Sequence, residues 1–242
     1  MKNYTLLFAT CLLALFLITG CSPALSVKLD ANCAVSMTFE SGTGAELSKT
    51  FTALTGKQMG TIQTGPAVSS LKAAGLTASG ISQNGSQFSL STGPDNADAI
   101  LPKLPDAIRI EGSAVGKGSL SFNLSPETAQ YIISLLPEET ASYTELFMAP
   151  LFTGETMSAD EYTDLVAAVY GQQLADELTS SRFTLNISVP GYVTSVSVPS
   201  ALNATVTKNN TKAVISLPLS ALLTLSQPHS ILVFFDNSRY TN

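Results

Sequence analysis

From Val27 to Phe39 the chain alternates. Val27, Leu29, Ala31, Cys33, Val35, Met37 and Phe39 hold one parity, and Ser26, Lys28, Asp30, Asn32, Ser36 and Thr38 hold the other, with Ala34 the one apolar residue out of phase. A period of two sends the two sets to opposite faces of a β-strand. The spacing predicts a first strand over 27–39 with one face buried. Cys33 belongs to the apolar set and is expected to be a small buried residue rather than a reactive thiol.

Further strands follow from the same pattern. Glu40-Ser41-Gly42-Thr43-Gly44 reads as a turn, with a second strand over 45–54. Thr64-Gly65-Pro66 opens a helix that Gly75 closes. Strands over 76–82 and 87–92 are joined at Asn84-Gly85, a strong hairpin signal. A helical turn is expected over 95–101. A second hairpin spans 107–115 and 119–124 across Gly116-Lys117-Gly118.

The middle is helical. Ser125-Pro126-Glu127 begins one helix, residues 138–148 another, and Ser158-Ala159-Asp160-Glu161 has the form of a capping box for a third that runs to about Leu178. Strands return over 182–189, 192–198, 204–207, 213–217 and 231–235, and residues 219–225 read either way. Strand–hairpin succession at both ends predicts antiparallel pairing and an α+β fold. The expected layout is one domain over 27–242, with a curved antiparallel sheet packed against a helical section at about 125–178.

Composition removes several function classes. The chain is 45% hydrophobic and 12% charged, with net charge −6. Its only arginines are Arg109, Arg182 and Arg239, so no basic stripe exists to neutralise phosphates, and nucleic acid is not an expected partner. His229 is the single histidine, in Gln227-Pro228-His229-Ser230, which reads as a turn. A serine nucleophile would need a base beside it, and a zinc site would need more His or Cys ligands. The acidic groups Glu138-Glu139, Asp160-Glu161-Asp164 and Asp176-Glu177 lack calcium-loop spacing and read as solvated helix faces. Gly42-x-Gly44 and Gly116-x-Gly118 read as hairpin turns, not phosphate loops. A non-enzymatic protein without metal or cofactor is expected.

The N-terminus supplies an address. Met1-Lys2 precede an apolar run over 6–18, interrupted by Thr10 and Cys11, and then Leu17-Ile18-Thr19-Gly20-Cys21. The run has the layout of a secretory signal and is short for a membrane span. Its end resembles the lipobox of bacterial lipoproteins. That resemblance implies cleavage of a signal peptide over 1–20, diacylglycerol on the Cys21 thiol, usually acylation of the new amine, and an acylated tether over 21–26. Two or three acyl chains anchor stably where one is marginal. With Cys11 removed and Cys21 acylated, Cys33 is left alone and an intrachain disulfide is not expected. The expected location is the bacterial envelope, with the domain exported to the periplasm or surface. The membrane is the expected partner, through the N-terminal acyl chains.

Three further stretches, Val35 to Gly44, Leu71-Lys72-Ala73-Ala74-Gly75-Leu76-Thr77, and Leu185 to Val193 with Pro190-Gly191 at its centre, are similar to the LppM-type domain of bacterial lipoproteins. The resemblance implies a β-rich α+β domain with a curved antiparallel sheet, likened to helix-grip folds, and a lipid or envelope glycolipid as ligand. Members of that family commonly end in a membrane helix, which this sequence lacks, and its section over 125–178 is longer than theirs.

That section carries an apolar series: Tyr131, Ile132, Leu135 and Leu136, then Tyr143, Leu146, Phe147, Met148, Leu151 and Phe152, then Tyr162, Leu165, Val166, Val169 and Tyr170. Helical spacing means these faces are buried against something. One reading is the domain's own sheet. Another is an apolar cavity between sheet and helices, lined by Phe147, Met148 and Phe152 beside a break at Pro150 and Gly154. A third is a face turned to lipid. Ligand uptake is the preferred expectation, and a structural or partner-binding lipoprotein with a fully packed core is the alternative.

Overall fold

The computed structural model describes residues 22–32, 34–42, 44–56, 77–84, 87–97, 108–112, 116–127 and 149–238. Their strands are β1 (Ala24–Leu29), β2 (Ala34–Gly42), β3 (Ala78–Asn84), β4 (Gln87–Asn96), β5 (Ile108–Gly112), β6 (Lys117–Leu124), β7 (Arg182–Ser188), β8 (Tyr192–Ser197), β9 (Thr205–Lys208), β10 (Lys212–Pro218) and β11 (His229–Asp236). The helices are α1 (Ala45–Thr55), α2 (Pro150–Thr153), α3 (Ala159–Tyr170), α4 (Gln172–Ser180) and α5 (Leu219–Leu223). The class is α+β, as the element succession implied.

The strands form two open sheets. One has seven strands in the order β3-β4-β2-β1-β7-β10-β9, and the other has four, β5-β6-β11-β8. Pairing is antiparallel except between β1 and β7, which run parallel with Ala24 opposite Thr184 and Lys28 opposite Ser188. That pair corrects the expectation of a wholly antiparallel sheet.

The first strand is in fact two. Asp30 stops it: its Oδ1 accepts from the Asn32 and Ala34 backbone N–H groups at 2.8 and 2.9 Å, an Asx-type turn that folds β2 back on β1. Leu29 then lies opposite Val35. Five residues separate this pair, so odd-numbered positions face inward on both strands, whereas Ala31, in the turn between them, is exposed and leaves the buried set that the alternation implied. Cys33 lies outside the described residues, as does the helix expected over 64–75.

Both sheets contribute to one core. Val27, Met37, Phe39, Leu185, Ile187 and Ile215 of the large sheet share it with Leu120, Phe122, Val233 and Phe235 of the small one, all nearly inaccessible to solvent. Burying each such side chain favours the fold by roughly 1.5–3 kcal/mol. The apolar face of the large sheet is therefore covered mainly by the second sheet. The helices gather their own cluster instead: Leu47, Ala149, Tyr162, Val166, Leu174, Ala175, Leu219 and Leu223.

The outward face of the large sheet carries hydroxyls and amides in register. Ser91, Thr38, Ser26 and Asn186 form one row across four adjacent strands, linked by a Thr38 Oγ1–Ser91 Oγ contact of 3.1 Å and an Asn186 Nδ2–Ser26 Oγ bond of 3.3 Å.

Several local expectations change. Asp95 and Asn96, expected in a helical turn over 95–101, end strand β4. Residues 45–55 are helix α1, not strand, and bury Leu47 and Phe51 at helical spacing. Gly42-x-Gly44 therefore joins strand to helix, with Gly44 as N-cap. The helix expected from Ser158 to Leu178 divides at Gly171, whose φ of 99° suits glycine and separates α3 from α4. His229 opens β11 rather than lying in a turn.

Candidate functional site

The described chain enters through Ser22 and Pro23, and β1 begins at once with Ala24, so residues 24–26, expected in the tether, belong to the first strand. This entrance is fixed to the fold, because the Thr184 backbone N–H donates to the Pro23 carbonyl at 2.9 Å. Since β1 is the middle strand of seven, the entrance lies under the centre of the large sheet.

Helices meet the sheets at this same pole. Ala24 is opposite Glu40 near the end of β2, and Gly42 is followed within three residues by α1. β7 starts here directly after α4, and β10 ends here where Pro218 leads into α5. The Leu219 N–H donates to the Ser181 carbonyl at 3.0 Å, which ties the start of α5 to the end of α4.

Glu177 fixes α1 from a distance. Gly44 gives that helix no side-chain cap. The carboxylate of Glu177, on α4, takes that role: Oε2 accepts from the Glu46 N–H and Oε1 from the Leu47 N–H, each at 3.0 Å. An anion at a helix N-terminus satisfies open N–H groups and complements the helix dipole. This carboxylate, expected on a solvated face, is a structural clamp.

Ser158 and Glu161 form the capping box the sequence implied, with the Ser158 hydroxyl accepting from the Glu161 N–H and Glu161 accepting from the Ser158 N–H. The Ser158 backbone N–H, and then its hydroxyl, hold the Glu161 carboxyl below its ordinary range. Tyr162, one position on, is buried in the helical cluster. Burial pushes its hydroxyl well above the ordinary phenol range, and nearby Tyr170 adds to the effect.

The residues singled out for ligand contact meet the fold at a seam. Phe147 and Met148 lie outside the described residues, as do Cys21 and the pair Glu138-Glu139. Phe152 lies on α2, although its side chain is not among those described. Its neighbours are informative. Ala149 is buried in the helical cluster, whereas Leu151 is buried in the sandwich core. α2 thus bridges the two apolar bodies. Pro150 and Gly154, expected as a break, are the first residue and the left-handed C-cap of this one-turn helix, with Gly154 at φ 76°.

The opposite pole is closed by polar contacts that the sequence did not announce. The buried Asn237 side chain accepts from the Gly191 N–H at 3.0 Å, and the Asn237 backbone N–H donates to the Gly116 carbonyl at 2.8 Å. Gly191 is packed so closely there that a Cβ would run into the Asp236 carbonyl oxygen. Gly191 is therefore a packing requirement. In the core, Thr92 Oγ1 is buried without a hydrogen-bond partner. His229 is paired in β11 opposite Leu124. Among the described residues, no group of three His, Cys, Asp or Glu side chains is arranged to hold a metal, and no helix is long and apolar enough to cross a membrane.

No protein-family model matches the chain. No curated protein matches it. Among solved structures, it is similar to the folded domain of the LppM protein of Mycobacterium tuberculosis, determined by NMR, with 10% identity, 93% of this chain and 96% of that chain covered, and a TM-score of 0.40.

Proposed function

We propose that the protein is a non-enzymatic, lipid-anchored protein of the bacterial envelope, whose exported domain takes up an acyl chain or similar amphiphile between sandwich and helices. Cys21 carries the anchor. Phe147, Met148 and Phe152 line the uptake site. The observation that supports this most is the seam at α2, where Ala149 belongs to one apolar cluster and Leu151 to the other. Two bodies that each keep their own buried cluster can part along the seam more readily than either can be opened inside. An apolar ligand entering there would replace contacts that are only lost when water enters.

The test is titration of the delipidated domain with a fluorescent fatty acid, for the wild type and for Phe147→Ala combined with Phe152→Ala. Saturable binding by the wild type that falls at least tenfold in the folded variant supports the reading. A wild type that binds neither the probe nor phosphatidylcholine vesicles contradicts it.

A second reading is a structural or partner-binding lipoprotein. It is favoured by the sandwich interior, where side chains as large as Phe39, Met37 and Phe235 are fully buried. If Phe147 and Phe152 are ordinary core, each alanine costs roughly 3–5 kcal/mol and unfolding dominates the titration.

A further inference from the structure

We infer that the helical pole is the membrane-facing surface of the domain, with the strands standing on end above the lipid and the Asn209–Thr211 turn pointing away from it. This rests on the acylation of Cys21 proposed above. Three observations carry it. First, only Ser22 and Pro23 separate Cys21 from β1, so at about 3.3–3.6 Å per residue the acylated residue is within roughly 11 Å of Ala24. Second, that short tether is itself docked: the Pro23 carbonyl accepts from the Thr184 N–H, and proline restricts its own backbone. Third, β1 is the fourth of seven strands, so the anchor pulls under the middle of the sheet rather than at an edge. A domain held centrally on so short a tether stands over its anchor.

The surface brought to the lipid is then defined by the topology. It includes Glu40 at the end of β2, the N-terminus of α1, Ser180 at the end of α4, and the Pro218–Leu219 junction. The far end holds the Asp30 turn, the Asn209–Thr211 turn and the Asn237 clasp. β7 pairs with β10 from Arg182–Pro218 near the lipid to Ser188–Lys212 at the far end. Seven residues at about 3.3 Å each put these ends roughly 20 Å apart. The hydroxyl-bearing outer face of the large sheet is therefore turned sideways.

The membrane-facing pole is not built for anionic lipid. Between Lys117 and Arg182 the sequence has ten Asp or Glu residues and no Lys, Arg or His, and this stretch delivers α3 and α4 to the pole. Of the described cations there, Lys49 pairs with Glu46 at 2.6 Å and Arg182 donates to Ser216. The contact is one of enforced proximity to a zwitterionic interface, not electrostatic capture.

The experiment uses the full-length acylated protein, with Cys33→Ala, reconstituted in phosphatidylcholine vesicles that contain lipids with a nitroxide headgroup. A fluorophore is placed by Ser180→Cys near the lipid or by Asn210→Cys far from it, both exposed positions. Quenching at position 180 at least twofold above that at position 210 supports the orientation. Equal or reversed quenching overturns it. The pair Glu40→Cys and Asn32→Cys, also exposed, repeats the comparison at independent sites. The mass of the N-terminal peptide from the same sample separates the two levels. An unmodified Cys21 overturns the anchor, and the orientation with it, whereas an acylated Cys21 with equal quenching overturns the orientation alone.

Discussion

Glu177→Ala should loosen the helical layer while leaving the sandwich intact. The carboxylate accepts two backbone N–H groups of α1 at 3.0 Å, in a partly buried setting. A hydrogen bond to a charged group contributes about 1.5–3 kcal/mol net, and removing an N-cap costs about 0.5–2 kcal/mol. Because water can partly replace the lost acceptor at this partly exposed site, we expect about 2–3 kcal/mol for the pair rather than the full sum. The cost falls on α1 and the helices it packs against, since Leu47 belongs to the helical cluster and not to the sandwich core. Amide hydrogen exchange reads this directly. Amides of α1 should exchange about thirty- to a hundredfold faster, at 1.4 kcal/mol per factor of ten. Those of β1, β7 and β10 should keep their protection. Glu177→Gln, which retains one acceptor, should show about half the free-energy effect. Unchanged exchange in α1 would refute the clamp, and an equal loss in the sandwich strands would refute the separation of the two clusters.

Thr92→Val should stabilise the protein by about 1 kcal/mol in urea denaturation, because it replaces a buried hydroxyl that has no partner with a methyl of similar size. A loss of stability would show that the hydroxyl is satisfied. Gly191→Ala should cost about 3 kcal/mol, since its Cβ meets backbone at Asp236 and Asn237 rather than a side chain that can move; a thermal midpoint equal to the wild type would contradict the close packing. Stability should fall as pH rises above about 10, because the unfolded chain releases the Tyr162 proton there while the folded chain retains it, at about 1.4 kcal/mol per pH unit. Tyr162→Phe should flatten that slope, and an unchanged alkaline profile would exclude Tyr162 as its source.

Much of the strand pattern was legible because it depends on near neighbours. Asn84-Gly85 marks the β3–β4 hairpin to within one residue, since Asn84 still pairs with Gln87 and belongs to the strand rather than to the centre of the loop. Ser158 and Glu161 form their box within one turn of chain. What escaped the reading depends on distant partners. The β1–β7 pair joins residues about 160 positions apart, and nothing in either strand announces a parallel neighbour. Residues 45–54 resemble a strand until Leu47 and Phe51 are seen as an i, i+4 pair facing the same side. Gly44 at a helix start without a capping side chain was a usable hint that some other acceptor must arrive, but not that Glu177 supplies it. The candidate site was legible only as an apolar, aromatic segment. The seam that gives Phe152 its setting arises from two clusters that no local pattern separates.

Native mass spectrometry of the full-length protein extracted from its own membrane tests the central proposal most directly. The expected result is a diacylglyceryl-modified Cys21 together with one further amphiphile that is bound non-covalently and leaves on collisional activation. A protein acylated at Cys21 that carries no second lipid, and takes up none when titrated with fatty acid or phospholipid, contradicts ligand uptake.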